Sequence, residues 1–220
     1  KYLWDPNSYI NIMVYNFTTE PNSNSVTLGI SHIPFSTTGK HYLEGLGETD
    51  YSHLTLANLQ FPLSVSINSL YINEESTPTE YSTADIAVTL AHELGHYLGL
   101  HHVFAETDNG TWEDTDYCKD TKSYNKQEYD SKCDYIYENE REKYTFKNLV
   151  KRTGCDGIEF ISYNIMDYAI SYSNQFTQNQ RERIRHVLSY SPLIPGPKKG
   201  DIDTRALNEG PLDLPIRTIK

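Results

Sequence analysis

Five residues in an eleven-residue stretch, HELGHYLGLHH at 92–102, carry the clearest chemistry in this chain: His92, Glu93, His96, Gly99 and His102. Two imidazoles four residues apart on a helix project from one face, close enough to grip one Zn²⁺. Glu93 stands beside them, placed to take a proton from a water that the metal activates. Gly99 is where a helix can stop, because glycine tolerates positive φ. The chain then turns and delivers His102 as a third ligand. Three protein ligands leave a fourth position open, which a hydrolytic zinc needs and a structural zinc does not. His101 competes locally with His102. The H-x5-H spacing from His96 favours His102 and leaves His101 as a supporting or surface histidine.

A helix has to hold this group. Ser82 and Thr83 are N-cap candidates, and Asp85 falls in the first turn, where negative charge suits the helix dipole. Ile86, Leu90, Leu94 and Tyr97 recur at helical spacing and predict a core-facing stripe, so a helix is expected over residues 83–99. Strands are expected at 9–17, 26–34 and 63–72, the last at a sheet edge. Residues 36–60, rich in Gly, Ser and Thr, read as loop. A helix is expected at 139–152. Another is expected at 178–190, with Thr177 as N-cap and an apolar stripe of Ile184, Val187 and Leu188. Residues 192–220 hold five of the ten prolines and read as an extended tail.

Two further stretches set the chemistry in a family. WDPNSYINIMVYNF occupies residues 4–17, and NIMDY at 164–168 is followed by QFTQNQRERI at 175–184. With the histidine motif between them, these stretches resemble the pappalysin family of metzincin metallopeptidases, over a span of residues 4–184 whose intervening parts diverge. The resemblance implies an α+β, metzincin-like catalytic domain: a twisted mixed sheet with the active-site helix above a largely irregular C-terminal subdomain. Residues 1–99 would form the upper subdomain, 100–191 the lower one with its methionine turn, and 192–220 the tail. The first strand and backing helix that the family implies have no counterpart ahead of Trp4.

Residue by residue, the likeness makes Met166 the methionine of that turn, an adaptable packing residue and not a ligand. It makes Tyr168 a side chain that reaches toward the metal and stabilises the transition state. Phe176, Thr177, Gln180 and Arg183 match the start of the family's last helix, where a structural role is expected. Asp116, Asp120 and Thr121 stand at positions of a family segment that contributes to Ca²⁺ sites, although Lys122 and Thr115 replace its proline and glycine. Of three cysteines, Cys133 and Cys155 lie in a segment that the family often staples. They form the expected disulfide, with Cys118 left as a thiol and Cys118–Cys155 as the alternative pairing.

Composition narrows the partners. The chain has 220 residues and a net charge of −11, from 19 basic and 30 acidic residues. That balance argues against nucleic acid and does not favour anionic membranes. Residues 106–142 alone hold twelve acidic against five basic residues. No run reaches transmembrane length, no signal-type segment opens the chain at Lys1, and there is no internal repeat. The family resemblance and the expected disulfide imply a secreted or cell-surface protein, and a monomer is expected.

These readings converge on a zinc-dependent endopeptidase acting on protein or peptide. The substrate would lie extended along a sheet edge at residues 65–72, with a pocket at 169–175 for the segment beyond the scissile bond. Two other readings stand beside it. A gluzincin-type hydrolase would take its third ligand from a downstream glutamate, and His102 and Met166 oppose it. A non-catalytic, metal-containing binding module would not need Glu93.

Overall fold

Short β-forming runs in the first seventy residues build the frame for the histidine-bearing helix. The computed structural model describes residues 3–17, 26–49, 51, 53, 64–105, 115–199 and 216–219. Parts of the loop at 36–60, of the acidic segment and of the tail therefore lie outside the described residues. The chain divides into two units, Lys1–Leu100 with Glu182–Lys220, and His101–Arg181.

The first unit is a four-stranded mixed sheet with helix α1 (Ile86–Tyr97) packed on it. Strands β1 (Asn11–Tyr15) and β3 (Ser64–Asn68) run parallel. Strand β2 (Gly29–His32) runs antiparallel to β3 on its other side, and β6 (Ile216–Ile219) runs antiparallel to β2, giving the order β1-β3-β2-β6. The expected edge at 63–72 is thus an interior strand. All five residues of β3 are buried. Its alternating serines suggest a solvated face, yet they are small enough to be covered on both sides. Val65 and Ile67 join Ile33, Leu46, Tyr97, Val187, Leu193 and Ile194 in one apolar cluster, with Ile86, Leu90 and Leu94 packed against it. The stripe expected on α1 is therefore the one that faces the core. Leu193 and Ile194 lie in the proline-rich stretch read as tail. Their burial, and the pairing of β6, show that this stretch contributes to the fold at both points.

Before β1, Asn11 clasps the loop ahead of it. Its side chain accepts from the Trp4 amide at 2.9 Å and donates to the Trp4 carbonyl at 3.0 Å. Both ends of the WDPNSYIN stretch are thereby fixed to each other.

In the second unit, helix α2 spans Lys126–Asn139, capped by the Asn125 side chain on the Glu128 amide. A short helix α3 (Phe146–Leu149) and a two-stranded ladder, β4 (Lys151–Thr153) with β5 (Glu159–Ile161), follow. The helix expected at 139–152 is accordingly displaced by about a dozen residues. The cause is physical: no residue of α2 is fully buried, and its partly buried stripe of Tyr129, Cys133 and Ile136 is thin among polar and charged neighbours, so periodicity marks it weakly. The displacement puts Cys133 inside α2. None of the three cysteines forms a disulfide, against the expected Cys133–Cys155 bond. Cys118 is buried, Cys133 half-buried and Cys155 exposed.

Helix α4 covers Gln178–Tyr190, as its spacing predicts. Thr177 and Gln180 cap it reciprocally. The Thr177 hydroxyl accepts from the Gln180 amide at 3.3 Å, and the Gln180 side chain accepts from the Thr177 amide at 2.9 Å. Val187 is in the core, whereas Leu188 is largely exposed and does not extend the stripe.

Candidate metal centre

Asp85, rather than Ser82 or Thr83, starts the active helix. Its carboxylate accepts from the amides of Ala87 and Val88 at 2.9 and 3.2 Å. An aspartate caps as well as a serine and adds a charge suited to the dipole. Backbone bonds to its carboxylate hold Asp85 below the usual carboxylate range, against the opposing effect of burial. Two turns on, His92 and His96 share a face. Their Nε2 atoms are 3.0 Å apart and their rings meet edge to face. Glu93 is fully buried between them in sequence and lies against β2. A Cβ on Gly29 would sit 2.5 Å from the Glu93 Cγ, so only glycine lets this carboxylate lie against the sheet.

The helix ends in a way that also orients a ligand. Gly99 has φ +89°, its amide donates to the His96 carbonyl at 2.9 Å, and the Leu100 amide donates to the Gly95 carbonyl at 2.9 Å. This is the paired-bond Schellman ending. A Cβ at Gly99 would also meet Val187 at 2.7 Å. The turned chain returns the Leu100 carbonyl to within 2.8 Å of His96 Nδ1. With Nδ1–H donating there, His96 Nε2 presents a lone pair. Arg183, buried, secures the turn from α4: Nε donates to the Gly99 carbonyl at 2.6 Å and Nη2 to the Glu44 carbonyl at 2.7 Å. The structural role expected of Arg183 is thus a specific one.

Past the turn, one nitrogen each of His92, His96 and His102 lies within 4.8 Å of the other two, all three side chains buried. Two imidazoles bound to one tetrahedral Zn²⁺ at about 2.0–2.1 Å would hold their nitrogens roughly 3.3 Å apart, near the 3.0 Å seen for the first pair. The donor set fits zinc in type, number and spacing. His102 stacks on Phe104 and meets Tyr168 edge to face, with ring centroids 4.7 Å apart in each case. His101 is also buried, against Tyr117, and is not one of the clustered three.

A family model described as pregnancy-associated plasma protein-A, for peptidase family M43, matches residues 1–189. The chain belongs to the pappalysin family. Two relatives named extracellular metalloprotease, from Arthroderma benhamiae and Trichophyton verrucosum, are each 36% identical over 97 residues. A third of the same name, from Arthroderma otae, is 37% identical over the same length. Each alignment covers 44% of this chain and 29% of the relative. Among solved structures, Tannerella forsythia mature mirolysin in complex with a cleaved peptide is 20% identical, with a TM-score of 0.48 over 87% of this chain and 57% of that one.

Residues 164–168, expected to be the methionine turn, rest on a buried polar network. Asn164 accepts from the Met166 amide at 2.9 Å and pairs its side chain with that of Gln180 at 2.9 and 3.1 Å. Met166 is fully buried, and its carbonyl accepts from the Val103 amide, just past His102. Asp167 accepts from the Tyr168 amide at 2.7 Å, from the Tyr124 hydroxyl at 2.5 Å and from Ser162, and its other partner is Arg152 at 3.3 Å. Arg152 is itself buried, spread over the Tyr129 ring and donating to the carbonyls of Leu149 and Ile170. Burial alone would weaken its charge; Asp167 and the two tyrosines more than offset that. Burial first, and then the Asp167 charge, push the Tyr124 hydroxyl well up. Sequence reading gave Asp167, Arg152 and Tyr124 no role. The only available signal was Asp167's place between Met166 and Tyr168.

The residues read as a calcium segment make local bonds. Asp116 accepts from the Cys118 amide, Thr121 donates to the Cys118 carbonyl, and Asp120 accepts from the Asn179 amide at the start of α4. Among the described residues, the three histidines are the one cluster of His, Cys, Asp or Glu side chains close enough to share a metal.

Proposed function

We propose that this chain hydrolyses peptide bonds, with zinc held by His92, His96 and His102. The observation that carries the reading is the buried three-histidine cluster with Glu93 adjoining it on the same helix. Bound there, zinc supplies Lewis-acid polarisation of the scissile carbonyl and lowers the pKa of water toward about 7. Glu93 takes the proton of the attacking water and later donates it to the leaving amine. The Tyr168 hydroxyl, on a ring fixed against His102 and by Asp167 at its amide, donates to the developing oxyanion. Met166 supports the histidines from below as packing and is not a ligand.

The substrate is an extended peptide. β3 lies between β1 and β2, so the docking edge expected at 65–72 moves to the far side of β2, whose Gly29 lies against Glu93 and where β6 pairs in this structure. An extracytoplasmic location is part of the same proposal, supported by the three relatives, each named an extracellular metalloprotease. Among the described residues no helix is long and apolar enough to cross a membrane.

Glu93→Ala tests the mechanism. Glu93 is not one of the three clustered ligands, so the variant should bind zinc stoichiometrically and keep its fold. General acid–base groups contribute about 10²–10⁴-fold, so casein or peptide hydrolysis should fall by at least two decades. Hydrolysis within tenfold of the parent at neutral pH would overturn the role given to Glu93.

A further inference from the structure

The outer edge of β2 is already occupied by the chain's own segment Ile216–Ile219. Antiparallel pairing aligns Gly29 with Ile219, Ile30 with Thr218, Ser31 with Arg217 and His32 with Ile216. Paired strands lie about 4.8 Å apart. Ile219 is thus one strand spacing from Gly29, the residue lying against Glu93, and β6 also approaches α1. The segment runs from the His32 end of β2 toward the Gly29 end. It takes the backbone hydrogen bonds that an extended peptide would need there.

From this we infer that Ile216–Ile219 is a tethered, strand-like ligand of the peptide-docking edge, which an incoming peptide must displace. The inference rests on the proposed peptidase reading for what is being blocked, but the occupancy itself is a binding statement and can be tested as one. A segment joined covalently to the protein competes intramolecularly, at an effective concentration on the order of millimolar. It therefore holds off peptides that bind the edge with millimolar or weaker affinity and yields to tighter ones. Main-chain bonds give such an added strand its affinity, so the block does not depend on a specific side chain.

The test uses the full chain loaded with zinc, and a double substitution Arg217→Pro/Thr218→Pro. Neighbouring residues of an antiparallel strand turn their N–H groups to opposite sides, so one of the two prolines removes an N–H aimed at β2. The probe is a fluorescein-labelled peptide with the sequence of residues 211–220, PLDLPIRTIK, followed by polarisation. Binding should be at least tenfold tighter to the double variant than to the parent. Amide exchange at residues 29–32 should be slow in the parent, faster in the variant, and slow again when peptide is added. This second readout stands even where the variant is unstable, because fast exchange on the β6 side of β2 in the parent would by itself overturn the inference. Equal peptide affinity in parent and variant would also overturn it. Hydrolysis of a quenched fluorescent peptide should show a lower KM in the variant at similar kcat. If peptide binding rises while neither protein hydrolyses anything, the tethered ligand stands and the peptidase reading falls.

Discussion

The two units are held together by opposite kinds of interior. In the first, the cluster of Ile33, Leu46, Val65, Ile67, Tyr97, Val187, Leu193 and Ile194 is almost wholly apolar. In the second, the fully buried centre is a cation, a carboxylate and their hydroxyl partners: Arg152, Asp167, Tyr124, Ser162 and Ser171. An apolar interior is non-directional and degrades in proportion to the volume removed. A paired charge in a low-dielectric interior fails abruptly when one member goes, because the other stays buried and uncompensated. The contrast suits what each interior supports. The first needs only to back a helix whose own spacing sets His92 and His96, while the second must fix one peptide, Met166–Tyr168, in a single geometry.

The largest effect expected from this contrast comes from Asp167→Ala. It strands Arg152 and should cost about 3–5 kcal/mol, the range for breaking a buried pair from one side. It should also raise amide exchange around residues 162–168. The sharper form is the cycle with Arg152→Met and the double variant Arg152→Met/Asp167→Ala. If the pair is a device of geometry, the double variant should be more stable than Asp167→Ala alone while peptide hydrolysis stays low, since nothing then fixes the Tyr168 amide. Urea denaturation of the four proteins measures the coupling. Additive costs would erase the distinction drawn between the two interiors.

The same contrast explains what the sequence made legible. The histidine site is local: its three histidines, Glu93 and its helix stop fall within residues 92–102, and spacing alone orders them. The stripe Ile86, Leu90, Leu94, Tyr97 and the span of α4 are read from periodicity because those helices bury a face. Helix α2 buries only parts of Tyr129, Cys133 and Ile136, so its pattern is weak and the expected helix lies too late in the chain. The role of β3 was misjudged because burial of Ser64 and Ser66 depends on what covers the sheet, which no local pattern encodes. The Arg152–Asp167 pair joins residues from different elements with no periodic relation, and nothing in either neighbourhood announces the partner. The cysteine pairing carried over from the family fails for a related reason: Cys133 belongs to a helix whose position had not been read.

Within the apolar interior, cost should follow size. Ile67→Val should destabilise by about 1 kcal/mol and Ile67→Ala by about 2–5 kcal/mol, with zinc affinity and kcat unchanged. A disproportionate loss on the small change, or a loss of metal with either, would mean that this core also sets the geometry of the histidines. Thr177→Ala is the weaker test on the other side. It removes one arm of the reciprocal cap on α4 and should cost about 1 kcal/mol by urea denaturation. Because Gln180 also pairs with Asn164, Gln180→Ala should cost more than Thr177→Ala, and the reverse order would detach the cap from the methionine turn.

The finest test concerns a single proton in the first unit, on the buried ring of His32. Its ring is buried, with Nδ1 3.0 Å from the Ser64 carbonyl, and Nε2 has no hydrogen-bond partner among the described residues. Burial lowers its pKa below the ordinary 6.5, opposed by the Ser64 bond. The folded state therefore prefers neutral His32, while the unfolded chain takes up a proton once pH falls below about 6.5. Stability from this group is complete above that pH and declines as pH drops toward the folded value. Zinc bound at the three clustered histidines would leave in acid and add its own loss, so the parent alone cannot isolate the effect. His32→Gln removes only this titration and leaves the metal-linked slope in place. Urea midpoints of zinc-loaded parent and variant between pH 5 and 8 should differ by a constant above pH 7, with the variant falling less steeply below 6.5. Parallel curves through the whole range would mean that His32 is protonated in the folded protein, and that water or a rearranged partner reaches Nε2.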